Sequence, residues 1–327
     1  MLLSAYMLSY GNWTVIPSHW EKVFAEMKEL GFDAVDLSFS ESEKRYSMRA
    51  IEGQIEAAHR QGLKVFLIPS RIAGRLAGAP SMCGYFLAEN HHLQLPEYPM
   101  LGCVDSPELL KWSEDFIRDM VNSFDIDGII WDEPKGADVI STHLDTLKRY
   151  HGETGCEQAR QSLIDYITNL TNVAKKIRPD LSFTIFNMPV TSKEFTAASA
   201  RIPGIDYAGF DGVCCLQSFF KEAPRKSKAT IRETWERTKA ETNGVCGTFA
   251  LIENILTPKE QIEEYTKELK LTLENVQPDH LACYYYGHNN ESAELIQSIT
   301  MKEICKMKKQ IVNQQHKKEI YYETAVN

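Results

Sequence analysis

Eight times along this chain a short apolar run rich in β-forming residues gives way to a longer segment of helical periodicity, and that alternation most constrains the fold. The runs read LLSAYMLSY, DAVDLSF, KVFLIPS, IDGIIW, LSFTIFN, IDYAGF, GVCGTFALI and HLACYYY. The first intervening helix is expected to take Ser18 as its N-cap, to bury Trp20, Val23, Phe24, Met27 and Leu30 on one stripe, and to stop at Gly31. Each strand followed by a helix predicts parallel pairing. A doubly wound open sheet would carry a Gly-rich phosphate turn after the first strand, and the chain reads SYGNW there instead. The expected class is therefore α/β, a single (β/α)8 barrel over residues 1–327, with the barrel proper over about 1–309 and a C-terminal tail over about 310–327.

The third strand is followed by the longest irregular stretch, from Arg71 to Asp105, before a helix capped by Ser106 with Pro107 at its first position. A loop of that length inside a compact domain is usually functional, and the alternative is an ordered insertion that packs on its own aromatics. It carries Arg71, Arg75, Tyr85, Phe86, His91, His92 and Tyr98, a mixture of charged and aromatic groups suited to that task.

Composition narrows the partners. The formal charge is 36 − 45 = −9, and the most basic stretch, Lys306 to Lys318, reads as a solvated helix face or tail, so no nucleic acid is expected. No run approaches the ~20 apolar residues that span a bilayer, and the N-terminus lacks the basic start of an export signal, so a cytoplasmic protein without a membrane partner is expected. Eight cysteines without C-x-x-C pairs read as reduced thiols rather than as a metal site or catalytic nucleophile. Neither cofactor nor metal is expected.

Barrels of this kind assemble their chemistry at the C-terminal ends of the strands. There the sequence offers Trp13, Asp36, Arg71, Trp131, Asp132, Glu133, Asn187, Asp211, Glu253, Tyr286 and His288. Two acids follow directly on the apolar run Gly128 to Trp131 and are held by Pro134; a carboxyl there loses solvation, which raises its pKa and suits it to proton donation. Their structural alternative is a helix cap or a loop ion pair with Lys135. Glu253 closes TFALIE on the seventh strand, which faces the fourth across the mouth of a closed barrel. Two carboxyl groups facing each other over a sugar ring are the equipment of glycoside hydrolysis. Aromatic faces (Trp13, Trp131, Tyr286) beside neutral hydrogen-bonding groups (Asn187, His288) suit a sugar, and Asp36, Asp211 and Arg71 complete the expected binding set.

A fourth strand ending in acid-Glu-Pro and a seventh ending in Glu resemble the clan A glycoside hydrolases. That resemblance implies a retaining mechanism on an oligosaccharide or glycoside, with Glu133 as acid/base and Glu253 as nucleophile. It departs from the family at Asp132, where an Asn that contacts the sugar is usual. DGIIWD is also similar to α-glycosidase barrels, which implies Asp132 as nucleophile and Asp211, in GFDG, as acid/base. Two further alternatives stay open: a metal-dependent sugar isomerase or lyase using Glu133, Asp211 and His288, and a glycan-binding barrel without catalysis.

Overall fold

The structure, a computed structural model, describes residues 1–7, 16–78, 84–214, 228–254, 257–284, 286 and 290–325. Its elements run β1 (Leu2–Met7), α1 (Pro17–Glu29), β2 (Ala34–Phe39), α2 (Glu41–Tyr46), α3 (Met48–Arg60), β3 (Lys64–Pro69), α4 (Tyr85–Glu89), β4 (Gln94–Leu95), β5 (Tyr98–Gly102), α5 (Pro107–Ser123) and β6 (Gly128–Asp132). They continue with α6 (Leu144–Arg149), α7 (Cys156–Ile177), β7 (Ser182–Asn187), α8 (Lys193–Ser199), β8 (Tyr207–Cys214), α9 (Lys228–Thr242), β9 (Gly247–Glu253), α10 (Ile262–Asn275), β10 (His280–Tyr284) and α11 (Ala293–Ala325).

Eight of these strands close a parallel barrel in the order β1-β10-β9-β8-β7-β6-β3-β2, a (β/α)8 barrel in which β6 and β9 are the fourth and seventh staves. The remaining two, β4 and β5, form a separate antiparallel hairpin inside the long loop after β3.

Alternation along the strands sorts side chains into two layers. One set, including Tyr6, Ala34, Phe66, Ile130, Phe186 and Phe249, fills the barrel interior. The larger set, with Val35, Leu67, Ile129, Trp131, Ile185 and Ile252, packs against the helix stripes. The interior is a filled core rather than a channel, so chemistry is confined to the end where the βα loops emerge.

Local signals explain most element ends. α1 begins at Pro17, not after Ser18; Ile16 is the N-cap, because a proline at N1 presets φ without sacrificing a hydrogen-bonded N–H. Its buried residues are Trp20, Phe24 and Met27, and Gly31 takes φ +90° just beyond its end. The helical segment after β2 divides in two, because Ser40 and Glu43 form a reciprocal capping box that starts α2 immediately after the strand. α11 runs from Ala293 through to Ala325, past the boundary near Lys309 that the sequence suggested for a tail.

Candidate active site

The loop after β6 is held from two sides. The Glu133 amide donates to the Phe186 carbonyl (3.0 Å), the Ala77 amide donates to the Asp132 carbonyl (2.7 Å), and the Lys135 amide donates to the Arg75 carbonyl (2.7 Å). The guanidinium of Arg75, 4% exposed, donates through Nε to the Gly102 carbonyl (2.8 Å) and through Nη1 to those of Lys135 (3.2 Å) and Gly136 (3.4 Å). Burial pulls its pKa down to about 10. The supporting stretch is itself contorted, with positive φ at Arg71, Ala73, Gly74, Ala77 and Gly78. Such backbone is costly and persists where its surroundings over-determine it.

Glu133 also sits at φ +38°, which ends the strand's alternation directly after Asp132. Its carboxylate pairs with the Lys135 ammonium; the two side chains are 19% and 8% exposed. The ion pair weighed against a chemical role is therefore present. An ammonium on a carboxylate oxygen favours the ionised form.

Asp132 is in the opposite condition. It follows Gly128 and Ile130 on the inward face, and its Oδ2 accepts from the Tyr6 hydroxyl (3.3 Å). Burial first, and then the neighbouring Glu133 charge, push its pKa up to about 7, against the opposing pull of Lys135 and the Tyr6 hydrogen bond. Replacing Lys135 by Met removes this part-buried ion pair and should cost about 3 kcal/mol of stability, measurable by urea unfolding. A cost below about 0.5 kcal/mol would show the pair to be effectively solvated.

On β9, Phe249 and Leu251 point into the barrel and Glu253 continues that row at the mouth, half-buried. It lies in register with Tyr284 of β10, whose ring meets that of Tyr6 edge-on at 5.2 Å. Glu253 is thus the register neighbour of Tyr284, whose ring meets Tyr6, and the Tyr6 hydroxyl reaches Asp132 across to β6. Asp211 continues the row of Tyr207 and Gly209 on β8, beside a register shift between Phe210 and Cys214, and is half-buried.

Four expected binding residues lie elsewhere. Trp131 is fully buried on the outer face of β6, where its Nε1 donates to Thr171 of α7 (3.0 Å) and its ring stacks on Phe183. One step of strand alternation separates it from Asp132 and turns it away from the mouth. For the same reason Asn187 follows inward Phe186, faces outward and donates to Ser199 of α8 (3.2 Å). Tyr286, two residues beyond the end of β10, packs edge-on against Phe32 and lines a groove with Glu26 and Gln297, under the helices.

Asp36 points inward but is fully buried below the mouth, out of reach of a ligand. It accepts from Ser4 Oγ (2.6 Å), which lies 2.9 Å from His280 Nε2, while His280 Nδ1 lies 3.2 Å from Thr184 Oγ1. Because the Ser4 proton goes to Asp36, the chain is consistent when Nε2 carries the imidazole proton and the Thr184 hydroxyl donates to Nδ1. Burial raises the pKa of Asp36 to about 7 and lowers that of His280 to about 3, so the core is neutral near pH 7 on the imidazole side and poised on the carboxyl side.

Arg71, half-buried with φ +62°, lays its side chain along Gly78 at the loop's edge. Trp13 and His288 lie outside the described residues. The described residues contain no group of three His, Cys, Asp or Glu arranged to hold a metal ion; the isomerase set of Glu133, Asp211 and His288 includes a residue outside that description. No helix among the described residues is long and apolar enough to cross a membrane.

Tyr6, Lys135 and Arg75 are the supporting groups that strand-end reasoning passes over. Tyr6 lies inside a strand, and its inward parity with Ser4 was the available signal.

Comparison with known proteins fits this frame. The chain matches no protein-family profile and no curated protein sequence. Among solved structures, GH5_18 from Streptomyces cattleya in complex with GlcNAc is similar at a TM-score of 0.63 and 10% identity, over 94% of this chain and 80% of that one. The endo-1,4-beta-mannanase from Rhizomucor miehei is similar at 0.61 and 12%, over 94% and 95%. The beta-galactosidase from the psychrophilic Marinomonas ef1 is similar at 0.63 and 10%; the match covers 93% of this chain but 59% of that enzyme's chain. At such identities the likeness establishes the fold alone, a (β/α)8 barrel.

Proposed function

We propose that this chain is a glycoside hydrolase that cleaves with two carboxyl groups and retention of configuration, with Asp132 as the proton donor and Glu253 as the nucleophile. The observation that carries the reading is the contrast between adjacent acids: half-buried Asp132 has its pKa raised to about 7, while Glu133 is ion-paired with Lys135. Two neighbouring carboxyls in different electrostatic settings, one desolvated and one beside an ammonium, suit divided acid and base roles. The clan A resemblance assigns the proton to Glu133; the ion pair favours Asp132 instead, whose pKa is raised first by desolvation and then by the neighbouring Glu133 charge.

In the first step the Asp132 proton passes to the glycosidic oxygen as its bond to the anomeric carbon breaks, and the Glu253 carboxylate bonds to that carbon. In the second, ionised Asp132 takes a proton from water, whose oxygen displaces Glu253. The fold's likeness to enzymes named as mannanase and beta-galactosidase supports a glycoside as substrate.

The α-glycosidase arrangement, with Asp132 as nucleophile and Asp211 as acid, is disfavoured because a carboxyl that retains its proton near neutral pH is a poor nucleophile. A panel of nitrophenyl glycosides of both anomeric forms, with the first-formed sugar anomer read by NMR, tests the proposal. Hydrolysis with retention supports it; hydrolysis with inversion, or sugar binding without turnover, would overturn it.

A further inference from the structure

Tyr6 is 1% exposed, and nothing in hydrolysis requires it to touch a sugar. Its ring is fixed by edge-on contacts with Tyr284 (5.2 Å) and Phe186 (6.4 Å), and its hydroxyl is spent on a single oxygen of Asp132, Oδ2 at 3.3 Å. A protonated carboxyl has one oxygen that carries the hydrogen and one that can only accept. A donor locked onto Oδ2 therefore makes Oδ2 the accepting oxygen and leaves the acidic hydrogen to Oδ1.

We propose that Tyr6 is a positioning residue that fixes the acidic proton of Asp132 on Oδ1 by donating its own hydroxyl hydrogen to Oδ2. The inference rests on the reading of Asp132 as proton donor and deepens it, since a general acid works only when its proton is aimed at the leaving oxygen.

The charged and titratable groups around the phenol all keep it a donor. Asp132 and Glu133 from the β6 end, Asp36 from β2 and Tyr284 from β10 all act with burial to hold Tyr6 protonated, well above the ordinary phenol range. Lys135, paired with Glu133, acts on Asp132 in the same sense as the Tyr6 hydrogen bond, favouring the ionised carboxylate. Tyr6 therefore orients the proton and also eases its release. Asp36 is the Cα partner of Tyr6 in the sheet register, which places this second buried carboxyl beside the phenol's own strand position.

Tyr6→Phe removes one oxygen and no ring contact. The protonation of Asp132 can be followed without any substrate as its carboxyl band in the infrared, assigned by difference against Asp132→Asn. In Tyr6→Phe that band should move to higher frequency, having lost its hydrogen bond, and titrate at higher pH by roughly one unit. In turnover kcat should fall about tenfold with KM nearly unchanged, and the alkaline limb should move the same way. An unmoved band and an unmoved limb would make Tyr6 a packing residue only.

If the wild type hydrolyses no glycoside, the functional reading fails while the infrared titration still decides the placement of the proton. If Tyr6→Phe does not fold, fluorotyrosine incorporation supplies the second test. It makes the phenol a stronger donor and must move the Asp132 titration to lower pH; no movement overturns the proposal.

Discussion

Asp132→Asn is expected to lower kcat/KM on alkyl glycosides by about 10²–10⁴-fold, the usual contribution of a positioned general acid. Loss of activity alone would not single out this residue, so the dependence on leaving group matters more. A dinitrophenolate departs without a proton, and the variant should form the glycosyl-enzyme from such a substrate nearly as fast as wild type. The pH profile supplies the sign. Asp132 must be protonated to act, and burial beside Glu133 raises its pKa to about 7, so the alkaline limb of wild-type kcat/KM should fall through about that value. In Asp132→Asn the alkaline limb should vanish. Equal losses on good and poor leaving groups would contradict the donor role.

The second large effect concerns stability. Asp36 is fully buried, with one hydrogen bond, from Ser4, and burial raises its pKa to about 7. An unfolded-chain Asp titrates near ~3.9, so between these values the folded state binds more protons than the unfolded state. Stability contributed by the neutral acid is thus greatest below ~4, declines as pH rises, and is lost above about 7, a swing of roughly 4 kcal/mol. His280 works in the opposite direction. Its folded pKa of about 3 lies below the unfolded ~6.5, so its contribution is present above ~6.5 and lost towards about 3. Asp36→Asn cancels only the first arm. Relative to wild type, the variant should gain about 3 kcal/mol between roughly pH 5 and 8, whatever constant cost its amide brings. Asp132 titrates in both proteins and drops out of the comparison. Urea midpoints that stay parallel across that range would show that Asp36 is already ionised in the folded state.

The barrel was legible because its signal repeats: eight apolar runs and eight amphipathic segments leave few topologies, and Ser106–Pro107 or Gly31 mark ends through purely local chemistry. The site was legible only in part. The rule that strand ends carry chemistry picked out Asp132, Glu133 and Glu253, which lie at the ends of β6 and β9, but could not tell which neighbours share their face. Trp131 and Asn187 each sit one residue from an inward position, and strand parity sends both under the helices, to Thr171 and Ser199.

Parity in turn ceases to hold where the strand ends, which is why Tyr284 faces the barrel and Tyr286 lies against Phe32. The roles of the two acids depend on contacts distant in sequence. Tyr6 reaches Asp132 across 126 positions, and Arg75 holds the Lys135 carbonyl across 60. The ion pair between Glu133 and Lys135, only two residues apart, was visible as an alternative from the outset, and its presence is why Asp132 rather than Glu133 is proposed as the donor.

The most direct test of the central claim is to trap the covalent intermediate with an activated fluorosugar, whose second step is slow, and to locate the label by mass spectrometry of the digested protein. The account predicts a glycosylated peptide modified at Glu253, with Asp132 and Glu133 unlabelled. A label on Asp132, or rapid hydrolysis with inversion and no label at all, would contradict it.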